Sequence, residues 1–436
     1  MGHPSSRGDK PTSEAEGRTL AAINRRRFIG RAAATAAGAA ALGIGLDRGL
    51  ATSALAQSAP VSPGVPAGTR AEAVMAALPG KRPLIKLSYR PPNYETPVKY
   101  FNELLTPNDA FFVRYHLADI PEVAVKDWKL KLGGESLERT AEYTMADLKS
   151  MFDPAEVVAV CQCSGNRRGL SNPHVQGVEW GYGAMGNARW KGVRLRDVLN
   201  KSGLKKDALE IGFDGADAGI VDKTPDFIKS IPTWKALDEN TLIAFEMNGQ
   251  PLPHWNGFPA RVIVPGWTGT YWMKHVISVQ AIAKPLGGFW MNPAYRIPKG
   301  KFPIIDRFTS QETEANTPIT EMVVNSLITN LDQGQRVKLG ASLAVRGIAW
   351  DGGYGIRLVE VSSDGGRSWR TAELGEDLGR FSFRPWSYRF TPGKPGAVSI
   401  MAKATNRLGA TQTFEAIFNP AGYHHNVVQR VDVVAA

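Results

Sequence analysis

The hydrophobic pattern changes period along the chain and predicts strands interspersed with short helices in the central part. Apolar runs and alternating stretches predict strands at 110–116, 128–132, 157–161, 242–245 and 260–264. A helical pattern covers 143–149 with Thr144 as its N-cap, and 190–199 is expected to enter a second short helix. The Pro-rich segment 60–95 is expected to lie extended on the surface.

The last third of the chain has a different pattern, in which short strands alternate with tight turns. Candidate strands lie at 337–339, 343–347, 356–362, 381–384, 397–404 and 411–414. Their regular spacing is typical of an immunoglobulin-like β-sandwich of about 120 residues. The stretch 296–318 carries few apolar pairs and is expected to link the two regions.

The first sixty residues have the layout of a twin-arginine export signal. An arginine pair at 26–27 precedes an alanine-rich, weakly apolar stretch at 32–46, and 54–56 has the small-x-small form of a cleavage site. Glycines and charges interrupt the apolar stretch well before the roughly 20 residues that a membrane span needs. We therefore expect the signal, residues 1–59, to be removed by cleavage after Ala56 or Ala59 and the folded protein to reach the periplasm.

Two folded domains are expected after this signal. The predicted boundaries give a mixed, β-rich α+β domain over 60–305 and the β-sandwich over 306–436.

Charge narrows the range of binding partners. The 436 residues carry a net charge of +11, and the signal holds 8 Lys and Arg against 4 Asp and Glu, which leaves +7 on the remainder. A moderately basic surface favours an anionic substrate or an acidic redox partner. No basic stripe with interleaved aromatic residues occurs, so nucleic acid is not an expected ligand.

The two cysteines, Cys161 and Cys163, stand at the end of a predicted strand with one residue between them. Strand geometry points both side chains the same way, and a disulfide between them would be strained. The sequence contains no Cys-x-x-Cys-His, so it offers no site for c-type haem attachment.

The loop after this strand, Cys163-Ser164-Gly165-Asn166-Arg167-Arg168, places two guanidinium groups beside a thiol. Neighbouring cations favour the thiolate form, which is a soft ligand for a transition metal. From the residues alone, a buried structural cysteine beside surface arginines explains the same pattern equally well.

This loop resembles the molybdenum-binding loop of the sulfite oxidase family, and further similar motifs follow in the family's order. They lie at 111–116, 187–195, 246–253, 257–262, 265–266, Lys274, 364–366 and Trp369. The resemblance covers almost the whole chain after residue 60. It is greatest to molybdenum subunits of exported bacterial sulfite:cytochrome c oxidoreductases.

The resemblance implies roles for individual residues. Cys163 would be the single protein thiolate on molybdenum, beside the two dithiolene sulfurs of one molybdopterin, with the metal cycling between Mo(VI) and Mo(IV). Arg114 and Arg168 would hold the sulfite anion, and Tyr295 would donate a hydrogen bond near the metal. Trp180 would form a wall of the pocket; taken alone, it is an ordinary core residue.

The cofactor contacts implied by the same resemblance are Phe112, Arg114, His116, Asp214, Asn256, Arg261, Met273 and Lys274. The chain departs from the family's pattern at Asn256, where many members have histidine, and at Trp272. The two-residue spacing of Arg114 and His116 on a strand would put both on one face. Cys161 does not align with the metal ligand and is interpreted as a buried neighbour.

The sequence therefore predicts a periplasmic enzyme that oxidises sulfite to sulfate at a molybdenum–molybdopterin centre. Arginine suits this substrate because its planar, paired donors match an oxyanion. Electrons would pass one at a time to a c-type cytochrome, either a bound subunit or a soluble protein. The chain would form a heterodimer with the cytochrome or a homodimer through its sandwich domain, without a membrane span.

Other functions remain open at this point. A related molybdenum enzyme oxidises sulfane sulfur on a carrier protein, but that branch lacks the second arginine of the Asn-Arg-Arg turn, which is intact here at Arg168. A methionine sulfoxide reductase would act on a neutral substrate, for which the arginine pair is unsuited. An exported adhesion protein would need only the sandwich, and metal content separates it from an enzyme.

Overall fold

A computed structural model of the protein describes residues 74–299 and 316–436. The predicted export signal lies outside these residues. The described α-helices are short, namely α1 (Met145–Met151), α2 (Leu195–Lys201) and α3 (Thr233–Ala236). Strands account for most of the remaining regular structure, which confirms the predicted β-rich α+β class.

The strands before the β-sandwich form several sheets. In chain order they are β1 (Met75–Ala76), β2 (Leu84–Ser88), β3 (Asn93–Glu95), β4 (Val113–Arg114), β5 (Lys129–Gly133), β6 (Ala141–Thr144), β7 (Pro154–Gln162), β8 (Met185–Arg194), β9 (Glu210–Gly215), β10 (Lys229–Pro232), β11 (Leu242–Met247), β12 (Gln250–Pro251), β13 (Arg261–Ile263), β14 (Val276–Ile282), β15 (Arg296–Pro298) and β16 (Asn316–Pro318).

Two five-stranded sheets provide the frame of this domain. One has the order β10-β9-β14-β5-β6 and is antiparallel except for the β14–β5 pair. The other contains β12-β11-β8-β7, with β13 also paired to β11. Their apolar faces share one large core that includes Trp128, Trp190 and Phe213.

The segment predicted to lie extended over the surface is instead partly folded into a third sheet of order β1-β2-β3-β4. Leu84 and Tyr94 from this segment are buried together with Val113 and Tyr115 in a small separate core. The prediction for 60–95 is therefore wrong for the part that the structure describes. Burial of these apolar side chains explains why the segment pairs with β4.

The predicted strand at 110–116 is reduced to the two residues of β4. Backbone carbonyls in β4 and just before it accept hydrogen bonds from side chains distant in the sequence. Lys81 Nζ donates to Phe111 O, Asn256 Nδ2 to Phe112 O and Lys274 Nζ to Arg114 O. Since those carbonyls are already paired, a longer ladder is not needed to satisfy them.

The β-sandwich consists of two sheets. Its strands are β17 (Asn325–Ile328), β18 (Arg336–Val337), β19 (Leu343–Trp350), β20 (Ile356–Ser362), β21 (Arg370–Thr371), β22 (Glu373–Leu374), β23 (Arg384–Phe390), β24 (Gly396–Asn406) and β25 (Gln429–Ala435). The sheet orders are β17-β19-β23-β22 and β18-β25-β24-β20-β21, and the core between them is apolar. The predicted sandwich is confirmed.

Two strand predictions in this domain are wrong. The strand predicted at 381–384 begins only at Arg384, because Phe381 O accepts from Val160 N and Ser382 Oγ accepts from Asn187 Nδ2. The stretch 411–414 forms only isolated bridges. Strands β17 and β25 were not predicted.

The predicted linker at 296–318 has paired ends. Strand β15 pairs antiparallel with β16, and Ile297 lies opposite Thr317. Residues 300–315 lie outside the described part. In the regions that are described, no helix is both long enough and apolar enough to cross a membrane.

The two domains share a hydrophobic cluster. Phe101, Val160 and Met185 pack with residues of the sandwich, among them Trp350 and Phe383. Trp350 Nε1 also donates to Gln162 Oε1 at 2.7 Å. The end of β7, from which the Cys163 loop emerges, is therefore supported directly by the sandwich.

Candidate functional site

One cavity brings together most of the residues selected from the sequence. It is bordered by 111–116, the end of β7, the region 255–274 and Tyr295. The lining residues are Phe111, Phe112, Arg114, His116, Cys161, Cys163, Ser164, Asp217, Phe227, Trp255, Asn256, Arg261, Gly269, Thr270, Trp272, Met273, Lys274 and Tyr295.

Strand β7 positions Cys163 at the wall of this cavity. Cys161 lies opposite Gly186 in the β7–β8 ladder, and Cys163 follows the last strand residue. The Cys163 N–H donates to Ala184 O at 2.9 Å, and the Cys163 carbonyl accepts from Asn166 N at 3.0 Å. Because both backbone groups are paired, the thiol has a defined place, with 9% of the residue exposed.

Cys161 lines the same cavity as a second free thiol. Its Sγ lies 3.9 Å from Nη2 of Arg261. Burial raises the pKa of Cys161, although Arg261 opposes the shift. This environment favours the protonated thiol, in keeping with the interpretation of Cys161 as a buried neighbour.

The two arginines of the loop do not bond to the thiol. Arg167, at φ 68°, donates to Val427 O at 3.0 Å and to Ser326 O at 2.7 Å. Arg168 Nε donates to Ala421 O at 2.6 Å. Neither side chain is among the residues that line the cavity.

Two buried cations occupy another part of the cavity wall. Arg261 donates to Asn256 O and Trp272 O, each at 3.0 Å, but its Nε has no partner among the described residues. Lys274 Nζ donates to Arg114 O at 2.7 Å, and burial lowers the pKa of Lys274 to about 8. Buried charge of this kind is costly unless an anion pairs with it.

Asn256 is fixed by a buried lysine. Its Oδ1 accepts from Lys81 Nζ at 2.6 Å, and its Nδ2 donates to Phe112 O at 3.1 Å. The amide therefore holds the 111–116 segment against the turn that precedes β13. Phe112 and Met273 add apolar surface to the same wall.

Arg114, His116 and Tyr295 meet in the same cavity. His116 Nε2 is hydrogen-bonded to the Tyr295 hydroxyl, and the His116 ring stacks on Phe227 at 3.8 Å. Burial, together with the charges of Arg114 and two lysines, lowers the pKa of His116 well below its usual range. Burial raises the pKa of Tyr295. Both groups are therefore neutral near pH 7.

His116 lies beyond the end of β4, so the predicted common strand face does not exist. His116 and Arg114 nevertheless line one cavity, as the sequence analysis expected. Arg114 Nη1 donates to Asn93 Oδ1 at 3.2 Å and to the Tyr115 carbonyl.

Trp180 and Asp214, like Arg168, lie outside the cavity lining. Trp180 is buried behind Phe112, with ring centroids 6.5 Å apart. Asp214 lies on β9, and its pKa is raised to about 6 by burial and by the nearby Asp226 and Asp217.

Several site residues were missed by the sequence analysis, notably Asp217, Thr270 and Lys81. The groups that accept hydrogen bonds from the Lys81 side chain lie 27, 30 and 175 residues away, so no local motif identifies this lysine. Asp217 follows Asp214 in a Gly-rich turn, which was a usable signal for a polar loop. Thr270 Oγ1 is buried without a partner among the described residues.

These residues fit a metal-bearing, anionic cofactor. A free thiol on one wall is a soft metal ligand, and Arg261 Nε and Thr270 Oγ1 on another are buried donors in need of acceptors. Within 74–299 and 316–436, no three His, Cys, Asp or Glu side chains form a metal-binding group.

Comparisons with known proteins agree with this chemistry. Residues 116–290 match the oxidoreductase molybdopterin-binding domain, and 316–436 match the Mo-co oxidoreductase dimerisation domain. The mitochondrial sulfite oxidase of Rattus norvegicus is 33% identical over 81% of this chain and 66% of its own length. The sulfite oxidase of Arabidopsis thaliana is 30% identical over 72% of this chain and 81% of its own length.

The sulfite oxidase of Gallus gallus is 36% identical over 71% of this chain and 68% of its own length. The chain spans about two thirds of the length of the first animal relatives it matches. The sulfane dehydrogenase SoxCD from Paracoccus pantotrophus has the same fold, with a TM-score of 0.67 at 22% identity over 90% of this chain and 93% of that one. From its two domain matches and these relatives, the chain is a molybdenum–molybdopterin oxidoreductase that belongs to the sulfite oxidase family.

Proposed function

We propose that this chain is the molybdenum subunit of a periplasmic sulfite dehydrogenase that passes electrons to a c-type cytochrome. The observation that carries the proposal is the single cavity in which Cys163, Arg114, His116 and Tyr295 meet. The sulfite oxidase relatives support sulfite as the substrate.

In this proposal, the residues that line the cavity have different roles. Cys163 binds the molybdenum, and Arg261 and Lys274 pair with the anionic end of molybdopterin. When bound, the cofactor supplies the two-electron chemistry by which sulfite becomes sulfate. Burial of Arg261 and Lys274 strengthens their interactions with an anion because little water competes for the charges.

Arg114 binds the sulfite anion through its guanidinium group, which lines the cavity. The neutral His116 holds the Tyr295 hydroxyl in place, so that the hydroxyl faces the cavity instead of bulk water. Neither group needs to change its protonation state to bind an anion near pH 7. Arg168 is not among the lining residues, and its proposed role in substrate binding rests on its position over the ring of Tyr423, which stacks on Tyr295.

The decisive assay is sulfite-dependent reduction of cytochrome c by the purified holoenzyme, with about one molybdenum per chain by metal analysis. Oxygen as acceptor and a carrier-bound sulfane sulfur as substrate are tested in parallel. Sulfane oxidation without sulfite oxidation would assign the chain to the rival enzyme class.

The ligand assignment is tested by comparing Cys163→Ser with Cys161→Ser. We expect Cys163→Ser to abolish turnover and the visible absorption band that a thiolate bound to an oxidised metal produces. Cys161→Ser is the matched control and should retain that band. Retention of the band in Cys163→Ser would disprove the assignment.

The proposed export is tested separately by replacing Arg26 and Arg27 with lysine. The variant should remain in the cytoplasm as a precursor, whereas the unchanged chain is recovered from the periplasm without residues 1–59. Recovery of both proteins from the periplasm would contradict the twin-arginine route.

A further inference from the structure

Tyr423 is a residue of the β-sandwich domain that lies against the catalytic cavity. It is buried, and its ring stacks on that of Tyr295 with centroids 5.7 Å apart and planes 9° apart. The Arg168 guanidinium lies over the Tyr423 ring at 5.3 Å. One side chain from the second domain therefore contacts two groups that the proposed function assigns to substrate binding.

The turn that carries Tyr423 is rigidly held. The buried Asn419 donates from Nδ2 to Tyr423 O at 2.7 Å and accepts from Tyr423 N at 2.9 Å through Oδ1. Gly422 N also donates to Asn419 O at 3.0 Å. With its backbone paired in both directions, Tyr423 presents its ring in one orientation.

The same turn also receives the Arg168 side chain. Arg168 Nε donates to Ala421 O at 2.6 Å. Gly422 has φ +59°, and a Cβ at that position would lie 2.8 Å from Arg168 Cγ. The glycine thus leaves space for the arginine stem, so Ala421, Gly422 and Tyr423 together determine where the guanidinium lies.

We propose that Tyr423 is a positioning residue, through which the sandwich domain orients Tyr295 and Arg168 for an anionic substrate. The flat contact limits rotation of the Tyr295 ring, whose hydroxyl is shared with His116. The electron-rich face of Tyr423 stabilises the arginine cation beside it. This inference rests on the proposed function for its substrate, but the packing itself does not.

The test compares Tyr423→Leu with Tyr423→Phe in purified holoenzyme. Loss of the ring should raise the KM for sulfite by about tenfold with little change in kcat, because two anion-binding groups lose their support. Tyr423→Phe keeps the ring and should restore KM. Tyr388→Leu is the matched control, since Tyr388 stacks on Phe390 within the sandwich and away from the cavity.

Crystal structures of the variants give a readout that does not depend on turnover. In Tyr423→Leu we expect the Tyr295 ring and the Arg168 guanidinium to move, whereas both stay in place in Tyr423→Phe. Unmoved side chains in Tyr423→Leu, or equal KM increases in Leu and Phe variants, would overturn the proposal. If the unchanged enzyme does not oxidise sulfite, the proposed function fails and the structures alone decide the positioning role.

Discussion

At the scale of single residues, buried lysines in the cavity wall and behind it are a main feature of the site. Lys274 has a pKa lowered to about 8, and Lys229, which donates to Trp290 O behind Tyr295, has a pKa lowered to about 7, in both cases chiefly by burial. A protein fold keeps such groups at a cost in stability, which an anionic ligand can offset.

Arg114 gives the most direct residue-scale prediction. Arg114→Met should raise the KM for sulfite about 10- to 100-fold, since a hydrogen bond to a charged group contributes about 1.5–3 kcal/mol. Molybdenum content should stay the same because the Cys163 loop is held by other contacts. Steady-state kinetics and metal analysis measure both, with the exposed Arg139→Met as control. An unchanged KM would remove Arg114 from the substrate site.

The raised pKa of Asp214 predicts that the free energy of unfolding depends on pH. Its pKa is raised to about 6 in the fold, so as pH rises from 4 to 6 the unfolded carboxyl loses its proton first and folding stability falls. Asp214→Asn should therefore stabilise the cofactor-free protein by about 1 kcal/mol at pH 7.5, a value discounted for partial exposure, and not at pH 4.

The measurement for Asp214 is thermal unfolding of cofactor-free protein across this pH range. The exposed Asp207→Asn is the control for loss of one carboxylate on the same domain. Equal melting temperatures of Asp214→Asn and the unchanged protein at pH 7.5 would show that the buried carboxyl carries no such cost.

At the scale of elements, local patterns succeeded where local forces decide the structure. The N-cap of α1 was predicted from Thr144 alone, and Thr144 indeed forms a capping box with Asp147. The strand prediction for 110–116 was wrong because carbonyls of this segment accept from Lys81, Asn256 and Lys274, which lie far away in the sequence. No strand propensity contains that information.

The capping box predicts a measurable contribution to stability. Thr144→Ala should lower the free energy of unfolding by about 1 kcal/mol, because the Asp147 N–H loses its acceptor. Urea unfolding checks the value, and Ser150→Ala near the end of the same helix is the control. A Thr144→Ala midpoint no lower than that of Ser150→Ala would contradict the contribution of the box.

At the scale of the whole molecule, the two domains behave as one packed unit around the end of β7. A shared hydrophobic cluster, the Trp350–Gln162 hydrogen bond and the buried Arg167 all cross between them. The Cys163 loop is consequently held from both sides, and the sandwich contributes to the site as well as matching a dimerisation domain.

Replacement of Arg167 tests whether the two domains stabilise each other. Arg167→Met should destabilise the protein by about 3 kcal/mol, since Ser326 O and Val427 O both lose a charged donor in a buried place. Calorimetry should show a lower melting temperature and a separate transition for the sandwich. The exposed, ion-paired Arg189→Met should change stability by less than about 0.5 kcal/mol. A single, unshifted transition in Arg167→Met would contradict the coupling.

The sequence by itself determined the two-domain β-rich class, the family and the strand that leads to Cys163, because periodicity and contiguous motifs are local properties. It also selected nine of the eighteen residues that line the cavity. Tertiary structure alone decided that Arg167 and Arg168 turn toward the sandwich, that Lys81 fixes Asn256, and that Tyr423 reaches Tyr295. Each of these contacts joins residues more than a hundred positions apart, so only the packing of the folded chain could reveal them.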